Sequence, residues 1–349
     1  MGSPLSSSTT NGEGTSQVVT PRAVGPMLRA GDLVIVRSPQ EIFQTLDPDG
    51  TLDGLPIMPE MLEFCGKQFR VLQRVVQSTI DGAFLKQHTE SFVREFRNND
   101  VVILTGVRCS GLNHDGCQRG CAVFWKEAWL QKVDARRADE AAVPELDQSA
   151  TAIMASQLKT KASAKIYFCQ SSEFLTATIH LSAGRRLRKC IESVAVGNVT
   201  PWVMLEGVLW WFWWKARHKV MGEHVKGTVT ETPTECLNLQ AGELVEVKSL
   251  QEIIATLNSQ ARNRGLHFSG DQRQFCGGRY RVRSRADNFI AEGSGEMKHF
   301  RNTVILEDVL CDSSYFAFGG CYRADLLYWR EIWLKRIAGP AHPSQTLKH

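Results

Sequence analysis

The chain repeats itself, and this duplication restricts its fold more than any other feature. A shift of 211 residues lays Gly31-Asp-Leu-Val-Ile-Val-Arg-Ser38 on Gly242-Glu-Leu-Val-Glu-Val-Lys-Ser249. The same shift carries Gln40, Glu41 and Ile42 onto Gln251, Glu252 and Ile253, Leu55 onto Leu266, and Cys65 onto Cys276. Further along, a shorter shift sets Cys117 on Cys321, Trp125 on Trp329 and Trp129 on Trp333. Two copies are too few for a solenoid, so the sequence predicts paired modules over 28–134 and 238–338. That leaves a middle segment at 135–237 and tails at 1–27 and 339–349.

Each copy has the same local grammar. Leu33–Val36 is a short β-rich run after a Gly turn, a strand signal. Ser38-Pro-Gln-Glu41 follows, with Ser placed to cap the first backbone N–H groups, Pro at the first helical position and Glu reaching back. Ser249-Leu-Gln-Glu252 repeats the capping box, so each copy should carry a short helix, to about Leu46 and Leu257. Asp47-Pro-Asp-Gly50 is a turn. Phe69–Leu72 and Val101–Leu104 read as further strands, matched by Tyr280–Val282 and Val304–Leu306. Phe124–Leu130 closes the module as a short strand or helical turn whose aromatics pack inward. The fold class expected is α+β: two homologous small β-rich modules, with an SH3-like barrel as the fitting type, flanking a helical insert.

Composition narrows the setting. Of 349 residues, 43% are apolar and 22% charged, as in ordinary globular proteins, and a net charge of +4 does not demand nucleic acid. Residues 1–27 are rich in Ser, Thr, Gly and Pro and lack a charged segment followed by an apolar one, so they read as a disordered tail rather than a secretory signal. The ten cysteines are therefore expected as reduced thiols in the cytoplasm rather than a disulfide framework.

Those thiols carry the chemical signal. Cys109, Cys117 and Cys121 lie in one Gly-rich stretch, and Cys65 joins them from upstream as a four-thiolate set suited to tetrahedral zinc. His114, between two of them, is able to replace one as a ligand. The spacing is not that of a standard zinc knuckle. In the second copy Cys276, Cys311 and Cys321 answer to Cys65, Cys109 and Cys117, but Asp325 stands where copy 1 has Cys121. Three thiolates and a harder carboxylate suit zinc, an iron–sulfur cluster with one labile corner, or an empty degenerate site. Against the bland reading of Cys as a common buried residue, three of the four positions recur while Cys169, Cys190 and Cys236 have no repeat partner. Four thiolates leave no open position, so the first site reads as structural and the second as the more reactive.

The middle segment is different. Residues 131–155 are charged and Ala-rich, a linker or surface helix. Between Lys159 and Lys226 stand eleven Lys or Arg against four Glu, densest at Gly184-Arg-Arg-Leu-Arg-Lys189. This run reads first as a solvated helix face, and second as a contact for phosphate, anionic lipid or nucleic acid. Pro201–Trp214 is an apolar, Trp-rich helix with a cationic end, interrupted by Glu206 and Gly207 and too short for a secure transmembrane span. The favoured expectation for Trp202–Trp214 is burial between the modules or in a protein or dimer contact, with peripheral membrane association the other option. Cys169 with His180 has no spacing that supports a nucleophile and base.

The repeated FCG…RV phrases, the Cys-rich loop and FWKEAWL, arranged around a basic middle, resemble a bacterial family of duplicated cysteine modules with no established activity. The resemblance covers most of 28–338 and implies a bacterial, intracellular setting but no catalytic residues; Asp325 is where the second copy departs from it. The function expected is that of a cytoplasmic zinc-binding protein acting as an accessory or scaffold factor in a biosynthetic pathway. The rival is a metallo- or iron–sulfur enzyme centred on Cys276, Cys311, Cys321 and Asp325. Nucleic-acid binding is weaker still, because no pattern of base-stacking aromatics accompanies the charge.

Overall fold

The computed structural model describes residues 27–80, 93–134, 147–221, 226–311 and 321–337. The expected tails, apart from Met27, and residues 135–146 of the linker lie outside them. The protein is mixed α and β, and its frame is two curled five-stranded antiparallel sheets. In the first, the strands run Ala122–Lys126, Val101–Arg108, Gln68–Arg74, Leu33–Val36 and Leu130–Val133 across the sheet. The second repeats this order with Leu326–Arg330, Thr303–Leu310, Arg279–Arg285, Leu244–Val247 and Leu334–Arg336.

Register is duplicated with the order. Val34 faces Phe69 where Val245 faces Tyr280, and Val36 faces Leu130 where Val247 faces Leu334. A bulge between Val71 and Gln73 recurs between Val282 and Ser284, bending the same strand in both copies. A second irregularity falls where Gly106 takes φ +77°, and Asp308 takes the matching left-handed φ of +56° in copy 2.

Both capping boxes form, at Ser38 with Glu41 and at Ser249 with Glu252. The short helix each one starts delivers a threonine to the core. Trp129 Nε1 donates to Thr45 Oγ1 at 3.0 Å, and Trp333 Nε1 donates to Thr256 Oγ1 at 3.0 Å. Trp125, Trp129, Trp329 and Trp333 are all fully buried. On buried area each contributes of order 4 kcal/mol, which makes the tryptophans the anchors of both cores. Beside them a mirrored ion pair ties strand to closing turn: Arg74 with Glu127 at 2.6 Å, and Arg285 with Glu331 at 3.1 Å.

The copies face each other about a pseudo-twofold axis. The backbone N–H of Gln118 donates to the Asn288 carbonyl at 2.7 Å, and that of Tyr322 donates to the Gln77 carbonyl at 3.3 Å. Arg119 donates to the Ile290 carbonyl at 3.2 Å, and Arg323 to the Thr79 carbonyl at 3.0 Å. Each contact is the image of the other under the repeat, the geometry of an isologous dimer interface made within one chain. Phe289, Ile290, Tyr322 and Leu326 of copy 2 belong to the same core cluster as the first sheet, so burial runs continuously through the junction.

The middle segment is built into the fold rather than strung between modules. Its strand Thr178–His180 pairs with Val93–Phe96, which also pairs with Ser78–Thr79. Gln170 completes the open edge of the first sheet: its Oε1 accepts from the Phe124 N–H at 2.8 Å, and its Nε2 donates to the Phe124 carbonyl at 2.8 Å. One side-chain amide thus substitutes for a neighbouring strand. The Trp-rich helix Pro201–Met221 does not lie between the modules. Trp202 is 66% exposed and Leu209 60%, and the helix lies beside the basic helix Ala183–Ala195. Glu206 and Gly207 interrupt its sequence pattern, and no helix among the described residues is long and apolar enough to cross a membrane.

Candidate metal centre

The Cys-rich stretch is a loop between two sheet strands, and its base is closed by the Cys109 N–H on the Cys121 carbonyl at 2.9 Å. Gly111 makes the tight crossing. A Cβ there would stand 1.9 Å from the Cys117 carbonyl oxygen, and its φ is +69°, so no other residue fits. Asp115 at the loop tip, itself left-handed, binds the Tyr167 hydroxyl at 2.5 Å and Lys161 at 2.8 Å. These bonds pin the hairpin of Lys161–Ser163 and Ile166–Tyr167 against the loop and carry Phe168 and Cys169 inward.

His114 is buried at the centre of this arrangement. Its Nδ1 lies 2.8 Å from Glu60 Oε1, and its Nε2 lies 3.2 Å from the Phe168 carbonyl. A carbonyl can only accept, so Nε2 carries a proton. Nδ1 then faces a carboxylate oxygen, and two acceptors at that distance require a positive charge between or beside them, a proton or a metal ion. The other carboxylate oxygen, Glu60 Oε2, is buried with no hydrogen-bond partner, a costly state unless a cation satisfies it. Burial alone would push the Glu60 carboxyl up, but the His114 hydrogen bond and charge outweigh it and hold the group below the usual carboxylate range.

The Cys109 thiol completes a triad. One donor atom each from Glu60, Cys109 and His114 lies within 4.8 Å of the others, a grouping of metal-ligating type among the described residues. Cys109 and His114 line a cavity of about 20 Å³ at the meeting of all three parts of the chain, and Glu60 reaches it only through its contact with His114. Cys117 and Cys121 come from the loop, Cys169, Gln170 and Ser171 from the middle segment, and Ile290 and Arg323 from copy 2. Burial, with the neighbouring Cys121 second, pushes the Cys109 thiol up; burial also raises Cys121 to about 12 and Cys169 to about 11. Without a cation these are protonated thiols.

Of the thiols expected in the first site, the cavity gathers Cys109, Cys117 and Cys121. Cys65 is not among its lining residues. It ends the short turn Pro59–Phe64, buried in the core, and burial, with the charge of Glu41 adding, pushes its thiol up to about 12. His114 takes a ligand position, as its place between the cysteines allowed. Glu60 was missed, although the repeat marks it: Asp271 is its counterpart, and Cys311 Sγ donates to Asp271 Oδ2 at 3.5 Å as Cys109 sits beside Glu60. Cys169, whose spacing to His180 supports no nucleophile and base, lines the cavity, while His180 is exposed on its strand.

In copy 2 the expected ligands take separate partners. Asp325 lies in an ion pair with Arg323 at 3.1 Å, and Cys321 Sγ accepts the Thr79 N–H at 3.4 Å. Cys276 Sγ lies 4.0 Å from the Gln272 carbonyl, while Cys311 faces Asp271. Residues 312–320, the counterpart of the His114 region, lie outside the described residues.

No protein-family model matches the chain, and no curated protein or solved structure matches it.

Proposed function

We propose that the protein is a zinc-binding scaffold whose ion is held by Glu60, Cys109 and His114, with Cys121 as the fourth ligand. The observation that carries this reading is the buried Nδ1 of His114 facing Glu60 Oε1 at 2.8 Å, with Glu60 Oε2 unsatisfied beside it. A histidine that binds zinc through one nitrogen and donates the other N–H to a backbone carbonyl is the usual supporting arrangement, and the Phe168 carbonyl stands in that place. Cys121 is chosen because it faces Cys109 across the base of the loop, its carbonyl accepting the Cys109 N–H at 2.9 Å, and lines the same cavity.

Size favours a structural ion over a catalytic one. A cavity of about 20 Å³ has room for a water or an ion. A small-molecule pocket occupies roughly 300–1,000 Å³. The ion would tie the Cys loop to the turn carrying Glu60, beside the middle segment and copy 2, and its binding energy would add to the stability of that junction. Each module is read as an SH3-like barrel, supported by four strands in meander order and a fifth that returns beside the first after a 3-10 turn. The role that suits such a molecule is accessory or scaffolding, in a cytoplasmic setting. The enzyme reading of copy 2 has less support, because Asp325 and Cys321 are engaged elsewhere.

Metal analysis of the purified full-length protein tests the assignment, with about one zinc per chain expected. Glu60→Gln and His114→Ala should each lower zinc content and melting temperature together, while Cys65→Ala should keep the zinc. Purified wild-type protein that carries no zinc, or that melts at the same temperature with and without chelator, would defeat the proposal.

A further inference from the structure

We propose that the helices Ala183–Ala195 and Pro201–Met221 form a docking surface for an anionic lipid bilayer. The inference is independent of the metal centre. Exposed large apolar side chains concentrate here: Leu187 at 62% and Ile191 at 69% on the first helix, and Trp202 at 66%, Leu205 at 48%, Leu209 at 60% and Trp213 at 56% on the second. At about 100° per residue, Trp202, Leu205, Leu209 and Trp213 fall within roughly one quarter of the helix circumference, a continuous apolar stripe. On the first helix Lys189, Cys190 and Ser193 face inward, which leaves Leu187 and Ile191 outward beside exposed Arg188.

Charge decides what covers this surface. The first helix contains Arg185, Arg186, Arg188 and Lys189 against Glu192, and the second contains Lys215, Arg217 and Lys219 against Glu206. Arg185 and Lys189 are drawn to Glu95, at 2.7 and 3.2 Å, and hold the helix on the body of the protein. Arg188 stays exposed beside Leu187 and Ile191. A second copy of the same surface would bring like charges together, whereas anionic headgroups neutralise them, and tryptophan suits the boundary between headgroup and acyl chain. From Trp202 to Trp213 the stripe spans about 17 Å of the helix axis, which can lie flat on the bilayer surface.

Flotation of the full-length protein with vesicles tests this. Mixed phosphatidylserine and phosphatidylcholine vesicles should carry the protein upward, and phosphatidylcholine vesicles should carry far less. Raising salt from about 0.15 M to about 1 M, which shortens the Debye length from about 8 Å to about 3 Å, should weaken binding. Trp202→Ser with Leu209→Ser should reduce the floated fraction roughly tenfold or more, with an unchanged circular dichroism spectrum because both side chains are exposed. Arg186→Glu with Arg188→Glu should abolish the preference for phosphatidylserine. No flotation with anionic vesicles, or equal flotation of the serine variant, overturns the proposal. So does a wild-type dimer that the serine variant converts to monomer, since a second copy would then be the occupant.

Discussion

The backbone N–H of Ile290 donates to Cys117 Sγ at 3.4 Å across the junction between the copies. Thr79, the repeat partner of Ile290, returns the same bond to Cys321 at 3.4 Å. The cysteines that recur most clearly between the copies thus hold the copies to each other. Cys321→Ala leaves a buried N–H without its acceptor and should cost about 1–3 kcal/mol, read by denaturant unfolding, with zinc content unchanged. Cys117→Ala should cost about as much and also keep the zinc; loss of metal in that variant would make Cys117 a ligand.

Arg323 is the charge on which the junction turns. It is buried, pairs with Glu292 at 2.5 Å and Asp325 at 3.1 Å, and lies over the Phe174 ring with 4.6 Å to the centroid. Burial works against its charge, but Asp325 and Glu292 outweigh burial and push its protonation further up. Arg323→Met takes from the buried Glu292 carboxylate the closer of its two guanidinium partners, Arg119 lying at 3.4 Å, and should destabilise the protein by about 3–5 kcal/mol. Adding Glu292→Gln should restore part of that loss; a double variant no better than the single one would show that the pairing is not the cause.

Gln170 fastens the middle segment to the first sheet through both backbone groups of Phe124. Gln170→Leu keeps much of the volume and removes both bonds, so a loss of about 2–4 kcal/mol is expected. Amide exchange should quicken most at Phe124. Uniform change across the sheet would contradict the account of this side chain as an edge strand.

The second capping box sets a pH dependence. Glu252 is held at about 2, by the Lys335 hydrogen bond first and the Ser249 hydroxyl next, against an ordinary value of 4.5. A depressed folded value means that its stabilisation is complete above the ordinary value and disappears as pH falls through the folded one. Carbon-detected titration should place the Glu252 carboxyl well below other exposed glutamates. Lys335→Ala should move it upward, and an unmoved titration would remove Lys335 as the cause.

Much of this fold can be read from residues alone because each copy confirms the other. Two Ser-x-x-Glu capping boxes, two strand runs after a Gly turn and two Trp pairs leave little freedom for local structure. The site is less legible for a physical reason. Cys65 resembles a ligand because it recurs, but it recurs to fill a core beside the capping-box helix. Cys117 and Cys321 recur to bind the opposite copy, and no spacing within one module records that. Glu60 has a counterpart in Asp271 yet was passed over, since a carboxylate before an FCG phrase looks like surface until the fold buries it. Cys169 and Gln170 reach the site from a segment with no repeat, where only tertiary contact gives them meaning.

X-ray absorption at the zinc edge of the full-length protein tests the central claim most directly. A mixed shell is predicted, with two oxygen or nitrogen neighbours at about 2.0–2.1 Å and two sulfurs at about 2.3 Å, the imidazole adding its outer scattering. Replacing His114 by Ala should remove that outer signal along with the metal. Four sulfurs at about 2.3 Å and no imidazole would contradict the assignment and return the ion to a four-thiolate site.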